Sequence, residues 1–228
     1  TKDGLETIVA NYTREAGLRN MERQVGNICR KAAKKIAEGE TKKMKVNKKK
    51  VIEWLGPVLY DKENEYSEDQ VAISTGLAWT AGGGEVLYIE GSLAPHGKGG
   101  LTLTGQLGDV MKESAITALA FLRSRADVYG IDFKNFTEND IHIHLPAGAV
   151  PKDGPSAGIT LATCLLSLLT NVPVKHDVAM TGEMTLTGRV LPIGGLKDKA
   201  LAALRMGIHT VIIPERNVKD LEDIPQEY

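Results

Sequence analysis

The hydrophobic pattern of the chain changes once, at the polar and acidic segment DKENEYSE over residues 61–68. Before this segment, apolar residues recur every three to four positions, which predicts helices alone. After it, short apolar runs of strand length alternate with longer helical ones, and glycine or proline turns separate them. This pattern predicts an α+β fold, with an all-helical subdomain over 1–62, a linker over 63–70 and a mixed α/β domain over 71–228.

The helical part is predicted to contain three helices. A capping box at Asp3 and Glu6 starts the first, and the second covers residues 18–37. The third follows Asn47, and the Gly-Pro pair at 56–57 ends it. Each buries one apolar stripe, so the three together form a small helical core.

The second part is predicted to pack helices against a sheet. The predicted strands are 71–79, 86–90, 101–104, 141–145, 178–180 and 210–214, with a hairpin over 181–192 and helices over 107–129, 159–169 and 196–206. Strict alternation over 141–145 places His142 and His144 on the same face of their strand.

Composition is that of an ordinary soluble globular protein. Of 228 residues, 42% are hydrophobic and 25% charged, and the net charge of −1 gives no global reason to bind nucleic acid or an anionic membrane. No apolar run reaches the roughly 18 residues of a membrane-spanning helix, so no membrane association is expected. The basic run between the second and third helices indicates a solvated surface, and a weak electrostatic contact with DNA stays open. It comprises Lys42, Lys43, Lys45, Lys48, Lys49 and Lys50.

The two cysteines and the first residue give smaller indications. Cys29 and Cys164 lie far apart in apolar helical contexts, which predicts buried, reduced thiols in a reducing compartment. The chain begins with Thr1 rather than Met, so we expect a fragment or a processed product.

A Gly/Pro-rich turn at residues 151–159 (PKDGPSAGI) places Ser156 near the first turn of a predicted helix. Unpaired amides and the helix dipole stabilise negative charge there, either on a bound anion or on an oxygen that gains charge during acyl transfer. Pro155 cannot donate, so the candidate donors are the amides of Gly154, Ser156 and Ala157. Two simpler interpretations remain at this point: Ser156 caps the helix, or the turn cradles a phosphate, although neither phosphate-loop spacing is present.

A nucleophilic serine needs a base, and the sequence offers two kinds. A Ser-His-Asp triad could use any of four histidines, and a Ser–Lys dyad could use either lysine of the helix over 196–206 if burial lowered the pKa of the amine. The helical wheel does not distinguish the lysines, and two exposed surface lysines are the simpler interpretation. The candidates are His142, His144, His176 and His209, and Lys197 and Lys199.

A zinc site is the remaining chemical alternative. His142 and His144 could begin one, but no third ligand follows at a useful spacing, whereas catalytic zinc takes three protein ligands and structural zinc four. We therefore predict no metal, and expect these rings to line a groove or form local hydrogen bonds.

Several motifs, in a fixed order, resemble the ATP-dependent Lon proteases, in particular the bacterial and mitochondrial branch. PKDGPSAG over 151–158, MTGE over 180–183 and GRVLPIGGLKDK over 188–199 resemble the proteolytic domain of that family. The segments 76–80, 105–114 and 142–144 are similar to its preceding elements, and residues 12–19 to the small helical subdomain of its ATPase module. The resemblance covers nearly the whole chain.

The resemblance implies roles for individual residues. Ser156 corresponds to the nucleophile of the family and Lys199 to its lysine, while Thr181 is implied to orient that lysine. Asp153 matches an acidic position that can gate the site, and Arg19 matches the arginine that senses nucleotide.

The resemblance also implies a biological setting. It implies a serine endopeptidase that degrades unfolded or damaged polypeptides as part of an ATP-dependent homohexamer, in the bacterial cytoplasm rather than the mitochondrial matrix. ATP and Mg²⁺ would serve the full-length protein; this chain carries no phosphate-binding loop or acidic magnesium motif, so we expect it not to hydrolyse ATP alone and to need no cofactor. The domain of the family usually extends somewhat further, so a final element is expected to be missing. Two rivals stay open: a non-catalytic module that binds an anion or RNA, and a zinc hydrolase.

Overall fold

A computed structural model describes residues 1–13, 18–40, 43–60, 66–80, 83–146 and 152–225. Its contacts divide the chain into two compact units. The first comprises Thr1–Glu63 with Ala81–Gly83, and the second comprises Asn64–Thr80 with Gly84–Tyr228. The predicted α+β class is confirmed, because helices precede a mixed sheet; the boundaries drawn at 62 and 70 stay a prediction.

The first unit contains the three expected helices, α1 (Lys2–Tyr12), α2 (Arg19–Ala37) and α3 (Lys48–Leu55). As predicted, Asn47 begins α3, where its side chain accepts a hydrogen bond from the Lys50 amide at 3.1 Å. Apolar side chains from all three helices form the core: Ile8, Tyr12, Ile28, Val51 and Trp54.

Two predictions for this unit are wrong. α1 begins two residues earlier than the capping box implied, with Thr1 at its N-cap, and the Asp3 carboxylate instead accepts a hydrogen bond from the Lys48 amide at 3.0 Å. Cys29 is exposed rather than buried, because a step of about 100° around α2 separates it from the buried Ile28.

The second unit is built on a six-stranded mixed sheet with the order β3-β4-β2-β1-β5-β8. β2 is longer than predicted because its second half pairs antiparallel with β4, from Glu90 opposite His144 to Pro95 opposite Asn139. A separate hairpin joins β6 to β7. The strands are β1 (Ile73–Thr80), β2 (Gly83–Pro95), β3 (Leu101–Thr104), β4 (Asn139–His144), β5 (Val178–Met180), β6 (Glu183–Met184), β7 (Val190–Leu191) and β8 (Thr210–Ile212).

Helices cover the apolar face of this sheet. α4 (Asp109–Ser124) and α6 (Gly158–Thr170) belong to one large core with Ile141 and Ile143 of β4, as the strand alternation requires. The predicted helix over 107–129 is two helices, because α4 ends before α5 (Ala126–Tyr129) begins.

A smaller core joins α7 (Leu196–Arg205) to strands β1 and β5 through Leu77, Ala179 and Ala203. This packing carries the lysine-bearing helix onto the sheet beside the serine turn. Three 3₁₀ turns complete the unit: Phe133–Phe136, Pro155–Ala157 and Glu215–Asp223. Of the helices that the structure describes, none combines the length and the apolar character needed to span a bilayer.

Candidate active site

Ser156 lies in the 3₁₀ turn Pro155–Ala157, directly before α6, and its side chain is half-buried. The residue at the N-cap of α6 is Ala157, so Ser156 does not cap this helix, and the capping interpretation is wrong. Among the described residues, the Ser156 hydroxyl has no hydrogen-bond partner. Residues 147–151, where the sequence predicted a loop before the serine, lie outside the described ranges.

The segment before Ser156 is held against the start of α4. The Lys152 amide donates to the Gln106 carbonyl at 3.1 Å, and the Gly108 amide donates to the Lys152 carbonyl at 2.7 Å. Oδ1 of Asp153 accepts the Met111 amide at 3.1 Å. Because Met111 is the third residue of α4, Asp153 satisfies a free amide at the positive end of this helix.

This arrangement removes one expected anion donor. The Gly154 amide donates to Oδ1 of Asp153 at 2.9 Å, so it is not open to a ligand in this conformation, contrary to the sequence expectation. The amides of Ser156 and Ala157 remain the candidates from the original three.

Lys199 is the buried lysine of α7, with 2% of its surface exposed, whereas Lys197 is exposed. The structure thereby makes the choice that the helical wheel left open. Burial lowers the pKa of the Lys199 amine from its ordinary value of 10.5 to about 8, because the charged form loses its hydration. A fraction of these amines is therefore neutral near pH 7, and the neutral amine can accept a proton.

Thr181 connects Lys199 to the serine turn. Lys199 Nζ donates to Thr181 Oγ1 at 3.1 Å, which is the hydrogen bond that the resemblance implied. Thr181 Oγ1 in turn donates to the Ser156 carbonyl at 3.3 Å, and the Gly182 amide donates to the same carbonyl at 2.8 Å. Thr181 is 1% exposed, so these bonds are shielded from water and fix the direction of the amine.

Ser156 and Lys199 line one cavity of about 480 Å³. Its wall also includes the apolar side chains of Leu77, Leu87 and Met111. No hydrogen bond joins the Ser156 hydroxyl to Lys199 Nζ in the described structure, because the amine bonds Thr181 instead. The cavity thus combines a hydroxyl, a buried amine and an apolar surface.

Two glycines permit the close packing around this cavity. A Cβ on Gly84 in β2 would lie 2.0 Å from the Asp198 carbonyl in the first turn of α7, so only glycine fits there. Gly195 has φ of +69° at the N-cap of α7, and a Cβ on it would lie 2.9 Å from the Trp79 ring. Both close contacts determine how closely α7 packs against the sheet.

The four candidate histidines lie elsewhere. His142 Nε2 and His144 Nδ1 both contact Thr104 Oγ1, at 2.9 and 2.7 Å, on the sheet face opposite Ile141 and Ile143. The local hydrogen bonds expected for this pair are therefore present. Among the described residues that line the cavity there is no histidine, so no Ser-His-Asp triad forms there.

The other two histidines are also accounted for. His176 Nδ1 bonds Asp69 at 2.7 Å, and His209 is exposed after the end of α7. Within the described ranges, no three His, Cys, Asp or Glu side chains are grouped so that they could hold a metal ion.

The remaining candidates lie in the first unit. Arg19 is the first residue of α2 and is exposed; Lys42 of the basic run falls outside the described residues. Lys43 and Lys45 are exposed, which agrees with a solvated surface.

Sequence reasoning missed several residues at the cavity. Glu183, Trp79 and Asp198 all line it, although the sequence patterns predict no role for them beyond a motif or a strand. Buried Lys152, 8% exposed, also received no role; its amine donates to the Gly105 carbonyl at 3.4 Å. The polar and aromatic residues within the Gly-rich motifs were the signal that could have identified the first three.

Comparison with known families gives the class of the protein. The model of the Lon protease (S16) C-terminal proteolytic domain matches residues 45–228, and the model of the Lon protease AAA+ ATPase lid domain matches residues 1–46. The chain therefore belongs to the Lon protease family and carries the proteolytic domain of a serine peptidase, so the resemblance found in the sequence is confirmed.

Individual relatives agree with this assignment. The chain is 57% identical over 224 residues to the Lon protease of Geobacter metallireducens, with 98% of this chain covered. It is 58% identical over 225 residues to that of Trichlorobacter lovleyi and 56% identical over 225 residues to that of Brevibacillus choshinensis, each with 99% covered. These matches cover 27%, 28% and 29% of the three relatives, so the chain spans less than a third of their length.

Proposed function

We propose that the second unit hydrolyses peptide bonds with a Ser–Lys dyad, Ser156 as nucleophile and Lys199 as general base. The observation that carries this proposal is the buried Lys199 amine, whose pKa falls to about 8 and which shares a cavity with Ser156. A lysine exposed to water would stay charged at neutral pH and could not accept the serine proton.

The proposed reaction has two stages. Neutral Lys199 takes the Ser156 proton while Oγ attacks the scissile carbonyl, and the resulting ammonium then donates that proton to the leaving amine. Water next attacks the acyl-enzyme while Lys199 accepts a proton from it; the acyl C–O bond to Ser156 then breaks, and Lys199 returns the proton to Ser156 Oγ as the carboxylic product leaves. The amides of Ser156 and Ala157, next to the N-terminus of α6, are suited to hold the oxyanion.

A change within the serine turn must precede the first stage. The Lys199 amine bonds Thr181, and Thr181 bonds the carbonyl of Ser156 rather than its hydroxyl. Rotation of the Ser156 side chain or a small shift of the turn would bring Oγ to the amine, and catalytic hydrogen bonds often tighten in this way only when substrate is bound. Asp153 fixes the start of the turn on α4, and this contact supports the proposal that Asp153 controls that shift.

In the full-length protein we propose that this unit completes an ATP-dependent, homohexameric protease for unfolded or damaged polypeptides. The exposed guanidinium of Arg19 at the start of α2 would contact the phosphates of the bound nucleotide. ATP with Mg²⁺ would be held by the region of the full-length protein that corresponds to the part of the relatives not covered by this chain. A bacterial cytoplasmic location and a weak contact of the exposed lysines with DNA belong to the same proposal.

Covalent labelling tests the dyad directly. A peptide that carries a fluorophosphonate at its C-terminus should label the wild-type chain at Ser156 and should not label Ser156→Ala, as intact-mass and peptide-mapping measurements would show. A phosphonate without the peptide part serves as the matched control. Equal labelling of the Ser156→Ala variant, or no labelling and no hydrolysis by wild type, would favour a non-catalytic binding module instead.

A further inference from the structure

Two carboxylates in the cavity have no task in the proposed reaction. Glu183 of β6 and Asp198 of α7 are half-buried and line the same cavity as Ser156. Among the described residues, neither side chain forms a hydrogen bond or an ion pair. A half-buried carboxylate gains most from a cationic partner, so both are available to a positive group of a ligand.

The rest of the cavity makes its potential negative. Of the described residues that line it, Lys199 is the sole one with a basic side chain, and in its active form this amine is neutral. Asp153 adds a third carboxylate, although its Oδ1 already accepts two amides. Apolar walls such as Leu77 and Leu87 lower the local dielectric constant and strengthen this field.

The geometry points to a preference of the cavity for cationic substrate side chains. This inference rests on the proposed peptidase function. We propose that Glu183 and Asp198 are specificity-determining residues that select polypeptide segments with a lysine or arginine beside the acylated residue. Segments with an aspartate or glutamate there are rejected, because their carboxylates would face two or three like charges.

The apolar part of the wall defines where the cation must lie. Trp79, Leu77 and Met111 offer a surface for the apolar side chain of the acylated residue, so the basic side chain belongs to a neighbouring position. Lysine and arginine can pass their methylene stems along this surface while the charged end reaches a carboxylate. An apolar residue flanked by a basic one is therefore the preferred sequence.

A matched peptide series tests this preference. Fluorogenic peptides of one sequence would carry leucine at the acylated position and Lys, Gln or Glu at each adjacent position in turn. We expect kcat/KM to fall in the order Lys, Gln, Glu, with about a tenfold difference between Lys and Glu at low salt. The ratio should shrink as ionic strength rises, because salt screens partly exposed charges.

Variants identify the residues responsible. In the double variant Glu183→Gln with Asp198→Asn, the ratio of kcat/KM for the Lys peptide to kcat/KM for the Glu peptide should fall towards one. This ratio is measured within one protein, so a change in the overall rate of the variant does not affect it. Glu113→Gln, an exposed carboxylate of α4 that does not line the cavity, is the control and should keep the wild-type ratio. If the double variant does not fold, the two single variants replace it, and each should show a partial decrease in the Lys-to-Glu ratio.

The possible failures are distinguishable. If wild type cleaves the three peptides at equal rates, the cation preference is overturned and the peptidase proposal stands. If the ratio survives in the double variant, Glu183 and Asp198 are not its source and the inference is also overturned. If no peptide is cleaved and the peptidyl phosphonate does not label Ser156, the proposed function itself fails.

Discussion

Two clusters of the second unit are each centred on a threonine hydroxyl, and they differ in burial. Thr181 Oγ1 lies between Lys199 Nζ and the Ser156 carbonyl, and both Thr181 and Lys199 are 2% exposed or less. Thr104 Oγ1 contacts His142 and His144 on the outer sheet face, where His142 is exposed. Desolvation lowers the pKa of Lys199, so the first cluster holds a base with a shifted pKa.

This comparison shows why the residue type alone does not identify the base. Histidine, whose usual pKa lies near neutrality, is by default the better base, and lysine the poorer one. Here His142 and His144 lie on the solvated face of the sheet, whereas Lys199 is buried on the side of α7 that packs against the sheet. Burial therefore makes the lysine, rather than a histidine, the candidate base. Four predictions, made on three substitutions, can break or sharpen the comparison, beginning with the largest expected effect.

Removal of the buried amine should abolish activity. We expect Lys199→Met to lower kcat by roughly 10³-fold or more, because among the described residues no other amine and no imidazole lines the cavity. Lys197→Met, two residues away on the same helix but exposed, is the matched control and should stay close to wild type. Steady-state hydrolysis of a fluorogenic peptide measures both, and equal losses in the two variants would show that burial is not the cause.

The same substitution should change stability in a pH-dependent way. The folded pKa of Lys199 is lowered to about 8, so between pH 8 and 10.5 the unfolded chain binds the proton and the folded chain does not. Below pH 8 both states are protonated, and the folded state then carries the full cost of a buried ammonium, about 3 kcal/mol at most.

Lys199→Met should therefore be more stable than wild type at pH 7, and this gain should disappear as the pH rises to about 10.5. Urea unfolding at pH 7, 9 and 10.5 measures the difference between the two proteins. A gain that does not vary with pH would contradict a lowered pKa.

Loss of the hydroxyl that orients the amine should have an intermediate effect. Thr181→Val removes the acceptor for Lys199 Nζ but keeps the shape of the side chain, so we expect kcat to fall about tenfold, the equivalent of one hydrogen bond. Thr181→Ser, which retains the hydroxyl, should recover most of the activity. If the valine and serine variants had equal kcat, the packing of the Thr181 side chain rather than its hydrogen bond would explain its effect on activity.

The outer cluster should tolerate substitution. His142→Gln can still bond Thr104 Oγ1 and leaves the cavity unchanged, so kcat should stay within about twofold of wild type, as for most surface changes. The same peptide assay, with circular dichroism to confirm folding, measures this. A large loss of kcat with the fold intact would show that the sheet face takes part in catalysis.

Much of the fold follows from local patterns in the sequence. The start of α3 at Asn47, the extent of β3 and the bounds of α7 agree with the hydrophobic periods and turn residues to within one position. Errors arose where tertiary pairing decides: β4 extends β2, and the Lys48 amide takes Asp3 away from a local cap. Neither effect leaves a local pattern that could be read beforehand.

The site divides in the same way. The Gly-rich turn makes Ser156 a candidate, and the family resemblance implies roles for Lys199 and Thr181, but a helical wheel cannot tell Lys199 from Lys197. That choice depends on which side of α7 rests on β1 and β5, which is a property of the packed sheet. The Met111 amide that bonds Asp153 likewise comes from a helix more than 40 residues earlier in the chain.

The fit of Gly84 beneath the first turn of α7 makes the proposed proton acceptor, Lys199, depend on a residue outside every predicted catalytic motif. The methyl group of a Gly84→Ala variant would push α7 away from the sheet and let water reach the amine of Lys199. The amine would then regain its charge at neutral pH while every reacting atom was still present. A heritable mutation can thus remove the activity of such an enzyme at a position whose residue takes no part in the reaction.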